Sequence, residues 1–411
     1  MVEIQEPLRE IVRDEAHLTL LGTAHVSRVS AEQVRKLIQS GEYDAVAIEL
    51  CRNRFNALID PKFLSQMDLF SVIWQNRAYM VIASLALSAY QQRLADQFGI
   101  EPGAEQRAAI RLAREHDIPL LLIDREIGVT LKRISANLGW WKRIGLFAGL
   151  LSAITTADTV TEEEVERLKE GDVLETTFAE FAADRRDLYV PLIEERDRYM
   201  AAKLRRESSR IGARRVLAVI GVGHLQGVAD NLITDVDPSA AIEELERLPP
   251  PSPWPRILTL ILLGLILVGF AHGFALEPEF GWDLVTDWIL LTGGLSALGT
   301  LLAAGHPLTI VSAFVAAPMT TLTPVVSAGM ITGAVELYLR KPSVGDFGRL
   351  RSDVTTWRGW WRNRVARVFV VFLLSTVGAA IGAYTGGLHL AESLFHSPPR
   401  LESSAIPVSA G

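Results

Sequence analysis

The 411-residue chain contains a single cysteine, Cys51, so it can form no internal disulfide bond, and a reducing compartment is permitted. An excess of positive charge is also absent. The formal charge of −7, from 41 basic and 48 acidic residues, argues against a general nucleic-acid binder. No hydrophobic leader is present in the charged residues 1–15, and we therefore expect a cytoplasmic amino-terminal domain.

Several familiar catalytic motifs are missing as well. The sequence has no Walker loop, no Gly-x-Ser-x-Gly elbow and no His-Glu-x-x-His. Gly221-Val222-Gly223 suggests a dinucleotide loop, but Gln226 occupies the place of the third glycine. We therefore do not expect NAD binding.

Two distant segments share one pattern. Residues 17–25 (HLTLLGTAH) and 216–224 (VLAVIGVGH) are apolar runs that each end in Gly-x-x-His. Short apolar runs interrupted by glycine are typical of buried, parallel strands. Ligands bind at the carboxyl ends of such strands in open α/β sheets. We therefore expect His25 and His224 to lie at one edge of a sheet.

The intervening sequence completes a mainly parallel α/β fold. A helix over residues 30–39 is followed by a second strand over 45–50, so the chain from residue 17 forms a βαβ unit. A third strand over 119–123 leads directly into Asp124 and Arg125. These strand ends bring Glu49, Asp124 and Arg125 to the edge that carries the two histidines.

Two helices are predicted to present charged side chains to the same edge. The helix over 104–115 places Glu105 on its apolar face, and the helix over 188–205 does the same with Arg196. Residues 140–154 (WWKRIGLFAGLLSAI) form an apolar run that is short for a membrane span. This run suits a buried helix, a dimer face or a segment lying on a membrane, and the sequence does not decide among these.

The composition changes after an amino-terminal domain of residues 1–247 and a proline-rich linker at 248–255. Residues 256–390 form a predicted transmembrane domain, and a tail follows at 391–411. The spans of the transmembrane domain are predicted at about 256–275, 286–304 and 368–388, with a broken or re-entrant stretch at 308–339. Residues 340–367 form a basic loop that the positive-inside rule assigns to the cytoplasm. Glu336 is either an interfacial or a functional residue.

The expected sheet edge combines groups suited to metal chemistry. His25, Glu49 and His224 are suitable ligands for a divalent transition metal such as Mn, Co, Fe or Zn. Glu105 is a candidate base, and Arg54, Arg125 and Arg196 are candidates for binding a carboxylate or an oxyanion. The alternatives are histidines that serve strand-end turns and arginines that form structural ion pairs.

The same residues resemble a known family, the TraB/PrgY family of pheromone-shutdown proteins. The resemblance rests on these motifs: Gly22-Thr23-Ala24-His25, Glu49-Leu50 followed by Arg54, Pro102-Gly103-Ala104-Glu105, Asp124-Arg125, Glu195-Arg196-Asp197, Tyr199-Met200-Ala201 and Gly221-Val222-Gly223-His224. The apolar tail, with His306-Pro307-Leu308 and Ala317-Pro318-Met319-Thr320, is similar to the membrane half of prokaryotic members.

That family is related to the Tiki, GumN and EreA/ChaN-like proteins, and the resemblance implies a shared α/β core with paired Gly-x-x-His motifs. It also implies that His25, Glu49 and His224 are motif residues, with Glu105 and the three candidate arginines at further family positions. Tiki proteins are metal-dependent peptidases, and PrgY-like members reduce the activity of peptide pheromones by degradation or by sequestration.

Two functions follow as hypotheses. The first is a membrane-anchored, metal-dependent peptidase or hydrolase that inactivates small peptides. The second is a non-catalytic protein that sequesters a peptide or a lipid-linked ligand through the arginines. Transport through the broken stretch, suggested by Pro318, Pro324 and Glu336, has less support. The expected partners are membrane lipid, a small peptide and a second copy of the chain, with no nucleic acid.

Overall fold

The structure is a computed structural model of the 411-residue chain. It describes residues 7–23, 28–60, 68–75, 77–97, 103–139, 142, 145, 186–234, 237–250, 253–323 and 326–395. These residues form two compact units. The first contains the chain up to Asp68 together with Tyr79–Ser252 and Ser343–Ala366, and the second contains Leu69–Ala78, Pro253–Pro342 and the chain from Arg367. His25, most of residues 140–154 and the tail after residue 395 lie outside the described residues.

The first unit is built on a five-stranded sheet, which confirms the predicted mainly parallel α/β fold. Its strands are β1 (Leu8–Arg13), β2 (Ala16–Thr23), β3 (Ala45–Ile48), β4 (Leu120–Leu122) and β5 (Arg215–Gly221). The order across the sheet is β1-β2-β5-β3-β4, with β1 antiparallel to β2 and every other pair parallel. Strand β5, although last in the chain, therefore lies between the two strands of the predicted βαβ unit.

Strand β1 was not predicted from the sequence. It has the sequence LREIVR, and most of its residues are exposed. A charged strand suits the edge of a sheet, where it discourages pairing with other chains. Such a strand lacks the apolar run by which the four buried strands were recognised.

The described helices of the first unit are α1 (Arg28–Gln39), α2 (Arg52–Ile59), α4 (Ala78–Gln97), α5 (Ala104–Glu115), α6 (Ile127–Asn137), α7 (Arg186–Tyr189), α8 (Glu195–Ile211), α9 (Val222–Thr234), α10 (Pro238–Glu246), α15 (Val344–Asp353) and α16 (Trp357–Arg362). The predicted helix over 104–115 is confirmed by α5. The predicted helix over 188–205 is divided, because a π-helical turn at Val190–Glu194 separates α7 from α8. Such turns often occur at functional sites.

Helices cover both faces of the sheet. On one face, Val34 and Ile38 of α1 and Ala109 of α5 pack in a buried cluster with sheet residues such as Ile48 and Val219. On the other face, α8 and α9 contribute apolar residues to a cluster with alternate sheet positions. Because both faces are covered, the central strands β2 and β5 are buried along most of their length and do not alternate between buried and exposed residues.

The second unit consists mainly of apolar helices: α3 (Leu69–Trp74), α11 (Trp254–Leu276), α12 (Pro278–Leu302), α13 (Pro307–Thr320), α14 (Ala328–Leu339) and α17 (Arg364–Phe395), the last of which enters this unit at Arg367. Within the described residues, three segments are long and apolar enough to cross a membrane: Ile257–Leu276, Pro278–Leu302 and Arg364–Glu392. The predicted break in 308–339 is present, because α13 ends at Thr320 and α14 begins at Ala328. Helix α12 begins eight residues before the predicted start, since the segment 279–287, which contains three acidic residues, is helical.

Glycines allow α12 and α17 to pack closely. A Cβ atom on Gly299 would lie 2.2 Å from the carbonyl oxygen of Leu374, and one on Gly378 would lie 2.2 Å from that of Leu295. Gly382, one turn after Gly378, meets the backbone of α12 in the same way. Small residues at this spacing let the backbones of two apolar helices come into contact. Helices in lipid associate through such contacts, because burying apolar side chains between them gives no hydrophobic driving force there.

Glu336 joins three helices of this unit. Its side chain is fully buried, and its Oε2 atom accepts hydrogen bonds from the His306 backbone N–H (2.8 Å) and the Thr309 hydroxyl (2.7 Å). Its Oε1 atom lies 3.2 Å from Arg340 Nη1 and 3.6 Å from Arg367 Nε. The carboxylate therefore holds the start of α13, the end of α14 and the start of α17 together.

Replacing Glu336 by glutamine is expected to lower the free energy of unfolding by about 1 to 2 kcal/mol, because an amide keeps the shape but loses the ion pairs with Arg340 and Arg367. Thermal unfolding of the full chain in detergent measures the effect. Glu279→Gln, at an exposed position of α12, is the matched control and should leave stability unchanged. Equal midpoints for the two variants would contradict a stabilising role for Glu336.

Candidate functional site

The carboxylate of Glu49 lies directly after β3, at the carboxyl edge of the sheet. Its Oε2 atom accepts a hydrogen bond from the Gly221 backbone N–H (2.8 Å), where β5 ends, and its Oε1 atom accepts one from Arg196 Nη2. The side chain is almost entirely buried. This carboxylate is therefore fixed by groups from β5 and α8, two elements distant from it in the chain.

The imidazole of His224 lies beside this carboxylate. His224 belongs to the first turn of α9, three residues after Gly221 ends β5, and it is fully buried. Its Nδ1 atom is hydrogen-bonded to the carboxylate of Asp197. Its Nε2 atom lies 3.7 Å from Glu49 Oε1. The imidazole of His224 therefore lies between two carboxylates, with Nε2 towards Glu49 and Nδ1 held by Asp197.

Asp197 itself is positioned by close packing against α9. A Cβ atom on Gly227 would lie 2.0 Å from Asp197 Oδ2, so only glycine at this helical position leaves room for the carboxylate. Since Gly227 follows His224 by three residues, both lie on the face of α9 that meets α8. Gly227 therefore serves this contact, rather than the dinucleotide loop considered from the sequence.

Arg196 bridges two carboxylates. Besides its contact with Glu49, its Nε atom donates to Asp124 Oδ1 (3.0 Å). Arg54 Nη1 approaches the other oxygen of Asp124 at 3.6 Å, and the Arg54 side chain remains 47% exposed. Of these two arginines, Arg54 is thus the one with substantial surface available to a ligand.

Arg125 belongs to an adjoining, internal network. Its guanidinium is completely buried and donates to Glu195 Oε2 (2.8 Å), to the carbonyl oxygens of Pro191 and Leu245, and to the hydroxyl of Thr130. Arg133 also pairs with Glu195, at 2.6 Å. Since the Arg125 side chain has no exposed surface, its contacts stabilise the fold and leave no surface for a ligand.

The electrostatics of both networks favour ionised carboxylates. Burial by itself would raise the pKa of Asp124, but the guanidinium of Arg196, and then that of Arg54, lower it below its usual value. Burial likewise opposes ionisation of Glu195, and hydrogen bonds from Arg133 and Arg125 outweigh it, so the pKa of Glu195 is also lowered.

These lowered pKa values predict acid sensitivity of the first unit. A carboxyl group with a lowered folded-state pKa contributes stability above its unfolded value, about 4, and loses it as the pH falls through the folded value. We expect the midpoint of thermal unfolding to fall as the pH decreases below about 4. In Arg196→Met the dependence should be shallower, because Asp124 loses the cation that lowers its pKa.

Arg247→Met provides the control for this pH series, since it removes an exposed arginine whose side chain is 75% exposed. Its pH dependence should match that of the original chain. A slope in Arg196→Met as steep as in the control would refute the assignment of acid sensitivity to Asp124.

The structure brings together several of the residues singled out in the sequence. Glu49, Arg54, Arg196 and His224 lie in one connected network at the carboxyl edge of the sheet, and Arg125 lies in the adjoining network. Glu105 is fully buried in the first turn of α5. His25 lies outside the described residues, so its place beside His224, and with it the pairing of the Gly-x-x-His motifs, remains a prediction.

Sequence reasoning did not assign roles to Asp197, Glu195 and Gly227. The first two flank Arg196 in the motif Glu195-Arg196-Asp197, of which only the arginine was singled out. Three consecutive charged residues at the start of a largely buried helix were the available signal. Their partners could not be inferred from the local sequence, because these lie on distant elements. The partners are Glu49, directly after β3, Arg133 on α6 and His224 on α9.

The described side chains provide part of the predicted metal site. Among the residues that the structure describes, no group of three or more His, Cys, Asp or Glu side chains is arranged to hold a metal ion. Glu49 and His224 nevertheless fit two positions of such a site, because an imidazole whose Nδ1 is held by a carboxylate presents Nε2 as a donor. The third predicted donor is His25.

Comparison with known proteins agrees with the resemblance noted in the sequence. Residues 7–234 match the model of the TraB/PrgY/gumN family, and residues 254–395 match that of the TraB family protein, C-terminal domain. The chain is 32% identical over 384 residues to an uncharacterized protein of Methanocaldococcus jannaschii, covering 90% of this chain and 94% of that protein.

Animal relatives match a shorter part. A TraB domain-containing protein of Bos taurus is 31% identical over 287 residues, covering 64% of this chain and 74% of that protein. The human protein of the same name is 30% identical over 274 residues, covering 61% of this chain and 70% of its own length. The first family model matches more than half of the chain, and the Methanocaldococcus jannaschii relative is matched over almost all of its length. The chain therefore belongs to the TraB/PrgY/gumN family.

Proposed function

We propose that this protein is a membrane-anchored, metal-dependent hydrolase that inactivates small peptides. His25, Glu49 and His224 hold the divalent metal, which is Mn, Co, Fe or Zn. The observation that carries the proposal is the hydrogen bond between Asp197 and His224 Nδ1, which directs Nε2 of a buried histidine towards Glu49. Carboxylates in this arrangement orient metal-binding histidines and increase their basicity.

The surrounding groups have distinct roles in this proposal. The Gly221 N–H and Arg196 hold the Glu49 carboxylate in a fixed orientation, and Asp124 in turn holds Arg196. Arg54, which retains exposed surface, binds the carboxylate of a peptide substrate. Glu105 accepts and returns the proton of the attacking water. Arg125 acts as a positioning residue for α6 and α8 rather than as a ligand for the substrate.

A divalent metal in this position supplies a Lewis acid that polarises a peptide carbonyl and lowers the pKa of a bound water. The chain's own contribution is to exclude bulk solvent and to keep the donors in place. The near-complete burial of Glu49, Asp197 and His224 supports this. Preorganised groups in a poorly solvated site act more strongly than the same groups in water.

We also propose that α11, α12 and α17 cross the cell membrane. Their length and apolar composition support this, and the close glycine contacts between α12 and α17 suit helix packing in lipid. The basic residues of 340–367 support a cytoplasmic position for that segment and for the first unit, as the positive-inside rule predicts. The pair α13 and α14 then forms a re-entrant hairpin.

The metal content of the purified protein tests the central proposal. We expect near-stoichiometric metal by elemental mass spectrometry in the original chain and its loss in His224→Ala and in His25→Ala. Asp197→Asn should retain less metal, roughly 10 to 100-fold weaker in affinity, because the orienting carboxylate is lost. His116→Ala, at an exposed position after α5, is the matched control.

Absence of metal from the folded original chain, even after reconstitution, would eliminate the proposed hydrolase.

The ion network of the same site supports a second function. Arg196 pairs with both Glu49 and Asp124, and Arg54 also approaches Asp124, so each carboxylate has a cationic partner without an external ligand. This suits a rigid site that sequesters a peptide or lipid-linked ligand through the exposed surface of Arg54. Binding of unmodified peptide by a metal-free protein, weakened in Arg54→Gln, would favour this second function.

A further inference from the structure

The first unit also has a concave surface whose lining includes neither Glu49 nor His224. It is a groove of about 600 Å³ between α1, α2 and α5. Its floor is apolar and includes Ala31, Leu58, Ile59, Ala108 and Ile110. This volume falls within the range of small-molecule sites, which are mainly apolar with a few polar groups that fix orientation.

The rim of the groove is strongly basic. Four arginines (Arg35, Arg107, Arg111 and Arg114) line it, against one glutamate, Glu115. This excess stands out in a chain whose formal charge is −7. The groove therefore presents a positive rim around an apolar floor.

Two of the rim arginines form exposed ion pairs within single helices. Arg35 approaches Glu32 at 3.1 Å and Arg111 approaches Glu115 at 3.7 Å, and each of these arginine and glutamate side chains is more than 40% exposed. Pairs of this kind contribute little energy, since water competes for both partners. An incoming anion can therefore replace them without leaving a buried charge unpaired.

The positive field extends from the groove through Arg107. Partial loss of water lowers the pKa of Arg351 in α15, and the like charges of Arg54 and Arg107 lower it further. The guanidinium group of Arg351 is therefore close enough to those of Arg54 and Arg107 to be repelled by each of them. Repulsion of this kind is relieved when an anion binds between or beside the cations.

We propose that this arginine groove binds an anionic amphiphile, a molecule that joins a phosphate or carboxylate group to a short apolar chain. Guanidinium groups form paired hydrogen bonds with both oxyanions. The apolar floor receives the chain, and the rim receives the charge. None of the groove residues belongs to the Glu49 and His224 network, so the inference stands independently of the proposed hydrolase.

The test uses the full chain in a neutral detergent and three probes, inorganic phosphate, hexyl phosphate and hexanol, with affinities measured by titration calorimetry. We expect hexyl phosphate to bind more tightly than either inorganic phosphate or hexanol. In the double variant Arg111→Gln/Arg114→Gln, its affinity should fall at least roughly tenfold, the effect of losing a charge-assisted hydrogen bond. Ile59→Ala should weaken hexyl phosphate while leaving inorganic phosphate unchanged.

The control is Arg210→Gln/Arg247→Gln, which removes the same charge from exposed positions elsewhere in the first unit, where the side chains are 66% and 75% exposed. It should bind hexyl phosphate like the original chain. An equal loss in both double variants would overturn the proposal in favour of general charge attraction. Equal affinity for hexanol and hexyl phosphate, or no binding of hexyl phosphate, would also overturn it. His224→Ala should retain binding, which separates this test from that of the hydrolase.

A final comparison identifies the source of the amphiphile. The affinity for hexyl phosphate is measured in nanodiscs of phosphatidylcholine with and without phosphatidic acid. A decrease with phosphatidic acid, absent in Arg111→Gln/Arg114→Gln, supports a membrane lipid as the occupant. An unchanged affinity supports a free amphiphile from solution.

Discussion

Replacement of Arg125 by methionine is expected to lower the free energy of unfolding by about 3 to 5 kcal/mol, the cost of removing one partner from a buried ion pair. The guanidinium is completely buried and connects Glu195 with two backbone carbonyl groups, those of Pro191 and Leu245. Methionine fills a similar volume but donates no hydrogen bond. The variant therefore removes the hydrogen bonds to both carbonyl groups in the interior, and Arg133 remains as a partner of Glu195.

Urea unfolding of the full chain in detergent, followed by circular dichroism, measures this effect. Arg133→Met is the closest comparison, because it removes the other arginine of Glu195 from a position that is 16% exposed. It should cost less, since Arg125 still neutralises the acid. Arg247→Met, on the surface, should change stability by no more than about 0.5 kcal/mol. If Arg125→Met matched Arg247→Met, the buried network would not be a major source of stability.

Gly227→Ala is the second substitution with a large expected effect, and its sign is informative. In an open helical position this change stabilises a protein by up to about 1 kcal/mol, because alanine has the higher helix propensity. At Gly227, however, the new methyl carbon would lie 2.0 Å from Asp197 Oδ2. Asp197 has to move, and we expect a net loss of about 2 to 3 kcal/mol from the resulting overpacking.

Gly348→Ala in α15 is the matched control, because a Cβ atom there meets nothing within 4 Å. It should be neutral or stabilising under the same urea titration. Gly227→Ala should also lower the metal content that we propose for the protein, since displacement of Asp197 releases His224 from its fixed orientation. A Gly227→Ala protein as stable as Gly348→Ala would show that α8 and α9 adjust without disturbing Asp197.

The two candidate functions of the sheet edge make different demands on the same residues. A hydrolase depends on His224 and the orientation that Asp197 gives it, whereas a sequestering protein depends on the exposed Arg54. Metal loss in His224→Ala and peptide binding in Arg54→Gln therefore separate them. The arginine groove adds a third, independent binding property, whose residues lie on α1, α2 and α5.

Much of the architecture was determined by local sequence patterns. The apolar runs that form β2, β3, β4 and β5 and the periodicity that gives α5 its extent of Ala104–Glu115 are read within about ten residues. The break between α13 and α14 lies within the stretch 308–339 that was predicted to be broken, although Pro318 is inside α13. Family membership likewise followed from motifs quoted directly from the sequence.

Tertiary structure alone decided how those elements meet. No local pattern indicates that β5 enters the sheet between β2 and β3, or that the Gly221 N–H donates to Glu49, 172 residues away. The sequence identified Arg196 as an inward-facing cation, but the fold decided that it joins Glu49 to Asp124. Side-chain partners depend on strand order and helix packing, which are set by the burial of whole faces. For this reason the sequence indicated that Glu49, Arg196 and His224 lie at the sheet edge, and the fold determined that Asp197 orients His224 there.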